Sequence, residues 1–180
     1  MLRKINMFIT IAILILFTDH LIAGSLGLLG ADILINKIIA RALVVLIVIH
    51  VGIASYLTYE TLYATKRSGA GYFKENKEFW LRRLSGIVLI IPVIFHLVIF
   101  MNVTPEVYRL KAFTTARLIS QIIMVLALAI HIMSNIKPLM IGSGIRSYKI
   151  SMVDVLLILS GLLLLAGIAF VIYYLRWLAV

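Results

Sequence analysis

Four histidines, His20, His50, His96 and His131, fall one each in the first four of five strongly apolar segments of this chain. An imidazole facing hydrocarbon is costly, so ionisable residues at membrane depth mark an ion path, a proton relay, or a metal or cofactor site. Neutral imidazole binds a metal through one ring nitrogen, and its other nitrogen should then donate to a carbonyl or hydroxyl that fixes the tautomer. One histidine in each of four consecutive segments suggests ligands used in pairs. A single membrane histidine is often only a helix-to-helix hydrogen bond; four that match in depth as two pairs favour ligation. Cysteine is absent, which excludes disulfides, thiolate zinc, iron–sulfur ligation and covalent c-type haem attachment within this chain.

The elements that must position these rings are membrane helices. Of the 180 residues, 63% are hydrophobic and 13% charged, against about 45–50% apolar in a soluble domain. Runs long enough to cross a hydrocarbon core lie at about 3–23, 38–62, 80–101, 115–136 and 152–176. The expected fold is all-α, a single integral membrane bundle of five transmembrane helices over residues 1–180. The loops are too short for a separate soluble domain, so chemistry on an aqueous substrate would fall to a partner chain. The net charge of +10 is first a topology signal rather than a nucleic-acid one. With the N-terminus inside, the inner side holds Arg3, Lys4, Lys66, Arg67, Lys74, Lys77, Arg82, Arg83, Lys137, Arg146 and Lys149. The outer side holds Lys37, Arg41, Arg109, Lys111, Arg117 and Arg176, so the bias places the N-terminus in the cytoplasm and the C-terminus outside. Met1-Leu2-Arg3-Lys4 before an apolar run also has the form of a signal peptide, but Ala23-Gly24 is a poor cleavage site and removal would discard His20.

Span direction sorts the histidines. His20, near the end of an outward span, and His96, near the end of another, form an outer pair; His50 and His131 form an inner pair, with a few ångströms of mismatch that tilt can absorb. Two bis-imidazole sites stacked across a four-helix core are what a di-haem b-type electron conduit needs, because haem is apolar and fits a bundle interior. Gly24, Gly52, Ala54 and Gly86 add little bulk and would let helices or a porphyrin approach. Pro92, four residues before His96, removes a helix hydrogen bond. Arg41, Arg83, Arg117 and Lys137 lie near span ends, where they would pair with propionates or serve as ordinary snorkelling anchors. The polar stretch from Tyr63 to Arg83 is expected to be the longest loop, anchored by Tyr72, Phe73 and Trp80 and available to a cytoplasmic subunit; Pro138 to Ile150 is expected to be the second inner loop.

Two short motifs add a resemblance. Trp80-Leu81-Arg82-Arg83-Leu84-Ser85-Gly86 enters the third span, and His131-Ile132-Met133-Ser134-Asn135-Ile136-Lys137-Pro138 leaves the fourth. Together with one histidine in each of four consecutive spans, the chain resembles the cytochrome b membrane-anchor subunit of the succinate dehydrogenase and fumarate reductase family, in its single-chain, five-helix, di-haem form. The resemblance implies two haem b groups, one on His20 and His96 and the other on His50 and His131. It makes Arg83, Ser85, Arg117 and Lys137 candidate propionate or quinone contacts. It also implies a flavoprotein and an iron–sulfur subunit docked on the cytoplasmic side of a prokaryotic inner membrane. Electrons would pass between that iron–sulfur subunit and menaquinone or ubiquinone, and the dicarboxylate chemistry would belong to the flavoprotein.

The chain departs from the family in being short and in carrying Ala129 where some members have a membrane glutamate two residues before the fourth histidine. Asp32 is the candidate proton acceptor of a quinone site, because quinol oxidation releases protons that need a base; an ordinary loop carboxylate is the plainer reading. Two other functions stay open on the sequence: a haem b subunit of a hydrogenase or formate dehydrogenase, and a non-haem transporter or assembly protein whose histidines pack or relay protons.

Overall fold

A computed structural model describes residues 1–31, 37–68, 76–100, 112–145 and 148–179, with backbone alone at 148–151. Five helices make up the fold: α1 Leu2–Leu28, α2 Lys37–Ser68, α3 Lys77–Phe100, α4 Thr115–Gly142 and α5 Tyr148–Leu178. No strand occurs among the described residues. All five helices are long and apolar enough to cross a membrane, and a helix is the only open-chain element that satisfies its own backbone polar groups in hydrocarbon.

The helices run beyond their apolar segments, α2 and α4 furthest. Helix α2 continues through the polar stretch after residue 62 to Ser68, its Thr61, Thr65 and Ser68 hydroxyls each bonding back to a carbonyl of the preceding turn. Lys66 and Arg67 occupy its last turn, where cations complement the helix dipole. Helix α4 passes through Pro138, expected to open a loop, and ends at Gly142. A proline weakens a helix interior, but Ile136 and Met140 on either side of it are buried in one cluster with Ile132 and Leu159 of α5. Packing therefore holds the last turn, and the connection to α5 shrinks to a few residues after Ser143. Asn76 caps α3 through the Phe79 N–H at 3.2 Å, and Thr114 caps α4 through the Arg117 N–H at 3.4 Å.

Helix α2 packs chiefly along α1, and α3 chiefly along α4. Between them α5 packs against both α1 and α4, which touch each other only slightly. The buried residues of α5, Leu159, Leu163, Ala166, Ala169, Phe170 and Tyr173, form a stripe along one side of the helix. Met7 of α1 lies 3.6 Å from where a side chain on Gly142 of α4 would begin, and Arg176 of α5 donates to the Leu29 carbonyl at 3.0 Å. So α1 and α5 run in one direction and α4 in the other. The end that holds Met1 and Gly142 is called the near end below, and the other the far end.

The Arg176 clasp closes over a glycine with φ +98°, Gly30, at the end of α1. A Cβ there would lie 2.7 Å from Arg176 Nη1. Gly30→Ala is expected to lower the thermal unfolding midpoint of the detergent-solubilised chain through two costs. One is about 1–2 kcal/mol for the left-handed backbone; the other is the opening of the clasp. Gly144→Ala provides the comparison, since it has φ +82° and nothing within 4 Å of the added carbon; it should show the backbone cost alone.

Candidate functional site

The histidines gather at two levels of the bundle. At the level nearer the far end, the ring centres of His20 on α1 and His96 on α3 are 6.0 Å apart with their planes at 85°. His96 Nδ1 lies 2.8 Å from Oε1 of Gln121 on α4. An amide oxygen can only accept, and the Gln121 amide nitrogen is engaged separately, donating to Ser120 Oγ at 3.0 Å. The proton therefore sits on Nδ1 of His96, and Nε2 carries the lone pair. Gln121 has no solvent exposure. The Phe100 ring lies tilted at 46° with its centre 5.0 Å from that of His96, and Phe100 packs against an apolar cluster of Leu28, Ile99, Phe113, Phe170 and Tyr173 that covers this level toward the far end.

The second level is built the same way from different residues. The Thr10 hydroxyl of α1 lies 2.8 Å from the Asn6 carbonyl and 3.3 Å from His50 Nδ1 of α2. The Ser85 hydroxyl of α3 lies 3.1 Å from the Arg82 carbonyl and 3.1 Å from His131 Nδ1 of α4. Each hydroxyl thus bridges a helix carbonyl and the Nδ1 of a histidine on another helix, and with its proton on the carbonyl it accepts from the ring and Nε2 carries the lone pair. His131 lies within electrostatic range of both His50 and Arg83. The Arg83 guanidinium sits 5.1 Å from the centre of the Phe79 ring, a cation–π placement that holds the charge at this level.

The levels are evenly spaced on three helices. His20 and Thr10 on α1, His96 and Ser85 on α3, and Gln121 and His131 on α4 are each separated by about 15 Å of helix. Two imidazole nitrogens each about 2 Å from a shared metal, with ring centres about 1 Å beyond, place those centres about 6 Å apart. The His20–His96 spacing matches this value. It is also an ordinary edge-to-face ring distance. Three of the four rings have Nδ1 beside a protein oxygen, which leaves Nε2 as the nitrogen that a metal would use. Among the described residues no three His, Asp or Glu side chains converge. The donor set with rings in contact is the His20–His96 pair, and two imidazoles are a set that would fit a bis-histidine haem iron.

The small residues divide by position. Gly24 and Ala54 lie one turn beyond His20 and His50 on the same helix faces, and a Cβ on Gly24 would meet nothing within 4 Å. Gly52 lies on the opposite face of α2 from His50 and is exposed, so it lines neither level. A Cβ on Gly86 would lie 3.1 Å from His131 Cε1; that glycine is what lets the imidazole reach α3.

The other candidate residues have the following surroundings. Arg117 turns back to donate to the Ala112 carbonyl at the start of α4. Lys137, six residues beyond His131 and on another face, lines a crevice of about 290 Å³ at the near end with Glu78, Arg82, Pro138, Met152 and Leu156. Arg41 is exposed. Asp32, Tyr72, Phe73 and Lys74 lie outside the described residues. Ala129 packs in an apolar cluster with Leu21, Leu163 and Ala166. Thr10 and Gln121 were not singled out by motif or spacing, although Gln121 is the only glutamine in the chain and stands inside an apolar span.

Comparison with protein-family models, with curated proteins and with solved structures finds no match.

Proposed function

We propose that this chain is the di-haem b membrane anchor of a succinate:quinone or quinol:fumarate oxidoreductase, carrying electrons between a docked iron–sulfur subunit and membrane quinone. The observation that carries the reading is that Nδ1 of His50, His96 and His131 each lies within hydrogen-bond distance of a protein oxygen, which would leave Nε2 to a metal. His20 and His96 would hold one haem, and His50 and His131 the other. Haem b, when bound, would supply a one-electron iron couple whose potential the ligating imidazoles and their surroundings would set. The chain's own residues orient and insulate. Thr10, Ser85 and Gln121 hold the rings they bond, the Phe100 and Phe113 cluster keeps water from the level of His20 and His96, and Arg83 places a cation near His50 and His131, where a propionate would need one. The near end carries Lys66, Arg67, Lys77 and Arg82 on helix termini, and the reading assigns it to the cytoplasmic face of a prokaryotic inner membrane and to the iron–sulfur and flavoprotein subunits.

The test is a reduced-minus-oxidised spectrum of the purified chain with haem quantified per polypeptide. Two low-spin b-type haems per chain are expected. A colourless protein from haem-sufficient cells rejects the reading. Co-purification of a nickel or molybdenum protein in place of a flavoprotein would keep the haems and reassign the complex.

A further inference from the structure

We infer that Gln121 is a positioning residue that sets the electron-donating strength of His96 and, through it, the redox potential of one of the two sites; the inference rests on the di-haem reading above. Gln121 is fully buried, in a helix where burying an amide is unfavourable unless both of its ends are bonded. Both are: Oε1 takes the His96 Nδ1 proton at 2.8 Å, and Nε2 gives to Ser120 Oγ at 3.0 Å. Ser120 Oγ in turn donates to the Arg117 carbonyl at 2.8 Å. The amide is thus held from the α4 backbone, and its oxygen cannot turn away from the ring without stranding two groups. The other two assigned rings bond instead to hydroxyls, at 3.3 Å for His50 and 3.1 Å for His131.

A carbonyl oxygen at 2.8 Å draws the Nδ1 proton outward and leaves more electron density on Nε2. A ligand so enriched favours the oxidised metal, and second-shell acceptors tune metal sites by this route. Removing the acceptor should raise the potential of the site that includes His96. A carboxyl in its place keeps an acceptor on Nδ1 and should leave that potential unchanged or lower.

The experiment is a potentiometric titration of the purified full-length chain, resolving the two haem midpoints in the parent and in Gln121→Leu and Gln121→Glu. Gln121→Leu is expected to shift one midpoint upward and leave the other in place, whereas Gln121→Glu leaves the same midpoint unshifted or moves it down. Loss of one haem in Gln121→Leu with its retention in Gln121→Glu also supports the role. The inference is overturned by an unmoved pair of midpoints in Gln121→Leu, by shifts of the same sign in both variants, by equal movement of both midpoints, or by loss of haem in both variants. A haem-free parent chain would overturn the underlying reading instead, and the two failures are distinguished before any variant is made.

Discussion

If the chain is the proposed di-haem anchor, His96→Ala is expected to bind one haem in place of two, with the remaining haem spectrally unchanged. His20→Ala should remove the same haem. Combining the two should remove nothing more, because residues acting as one unit are not additive. His50→Ala and His131→Ala should each remove the other haem, and His96→Ala with His131→Ala should abolish both. Haem per chain, with a potentiometric titration to identify which component has gone, checks the set. Four single variants that all lose both haems, or that all keep both, would sink the pairing.

His20 and His96 also differ in a way that separates ligation from packing. His96→Ala strands the buried Oε1 of Gln121, and an unsatisfied buried acceptor costs about 1–3 kcal/mol. Among the described residues no hydrogen bond of this kind ties His20. In haem-free preparations His96→Ala should therefore unfold at a lower temperature than His20→Ala, although the two lose the same cofactor.

Much of this arrangement is legible in the sequence because it depends on periodicity and depth. Apolar segments of sufficient length predict the five helices, and counting residues along each span brings His20 to the level of His96. The bond partners of the rings are a different matter. Thr10 and Ser85 bond to the ring of a histidine on another helix, and which face of α1 meets α2 is decided by packing that no single segment reveals. Ser85, a candidate propionate or quinone contact by the resemblance, hydrogen-bonds the His131 ring. Lys137 lies on a different face of α4 from His131 and lines the crevice at the near end, which a position near a span end does not disclose.

Helix α5 was the least legible element. It has no histidine, and its apolar residues surround it on every side, so hydropathy marks no packing face. Its buried stripe of Leu159, Leu163, Ala166, Ala169, Phe170 and Tyr173 becomes visible only once α1 and α4 are in place. The extension of α4 through Pro138 has the same origin: local preference argues for a break, and burial of Ile136 and Met140 overrides it.

The second large effect is expected from Gly86, where ligand placement depends on the absence of a side chain. A Cβ at this position would lie 3.1 Å from His131 Cε1 and 3.4 Å from Nδ1. Gly86→Ala therefore asks the ring to move by a few tenths of an ångström, while alanine improves helix propensity by about 1 kcal/mol. The two effects oppose each other, and haem content should fall little. Gly86→Val adds two further methyl groups on a stiff β-branched stem, and the His131 ring must leave α3, breaking its bond to Ser85. The expected result is loss of the haem held by His50 and His131 with retention of the one held by His20 and His96. Gly161→Val controls for placing valine in a membrane helix, because its Cβ meets nothing within 4 Å; it should keep both haems. Equal losses in Gly86→Val and Gly161→Val would mean that helix propensity, not contact with the His131 ring, is being measured. Loss confined to Gly86→Val would tie the second site to the closeness of α3 and α4, two packed helices that each carry a histidine, His96 at one level and His131 at the other.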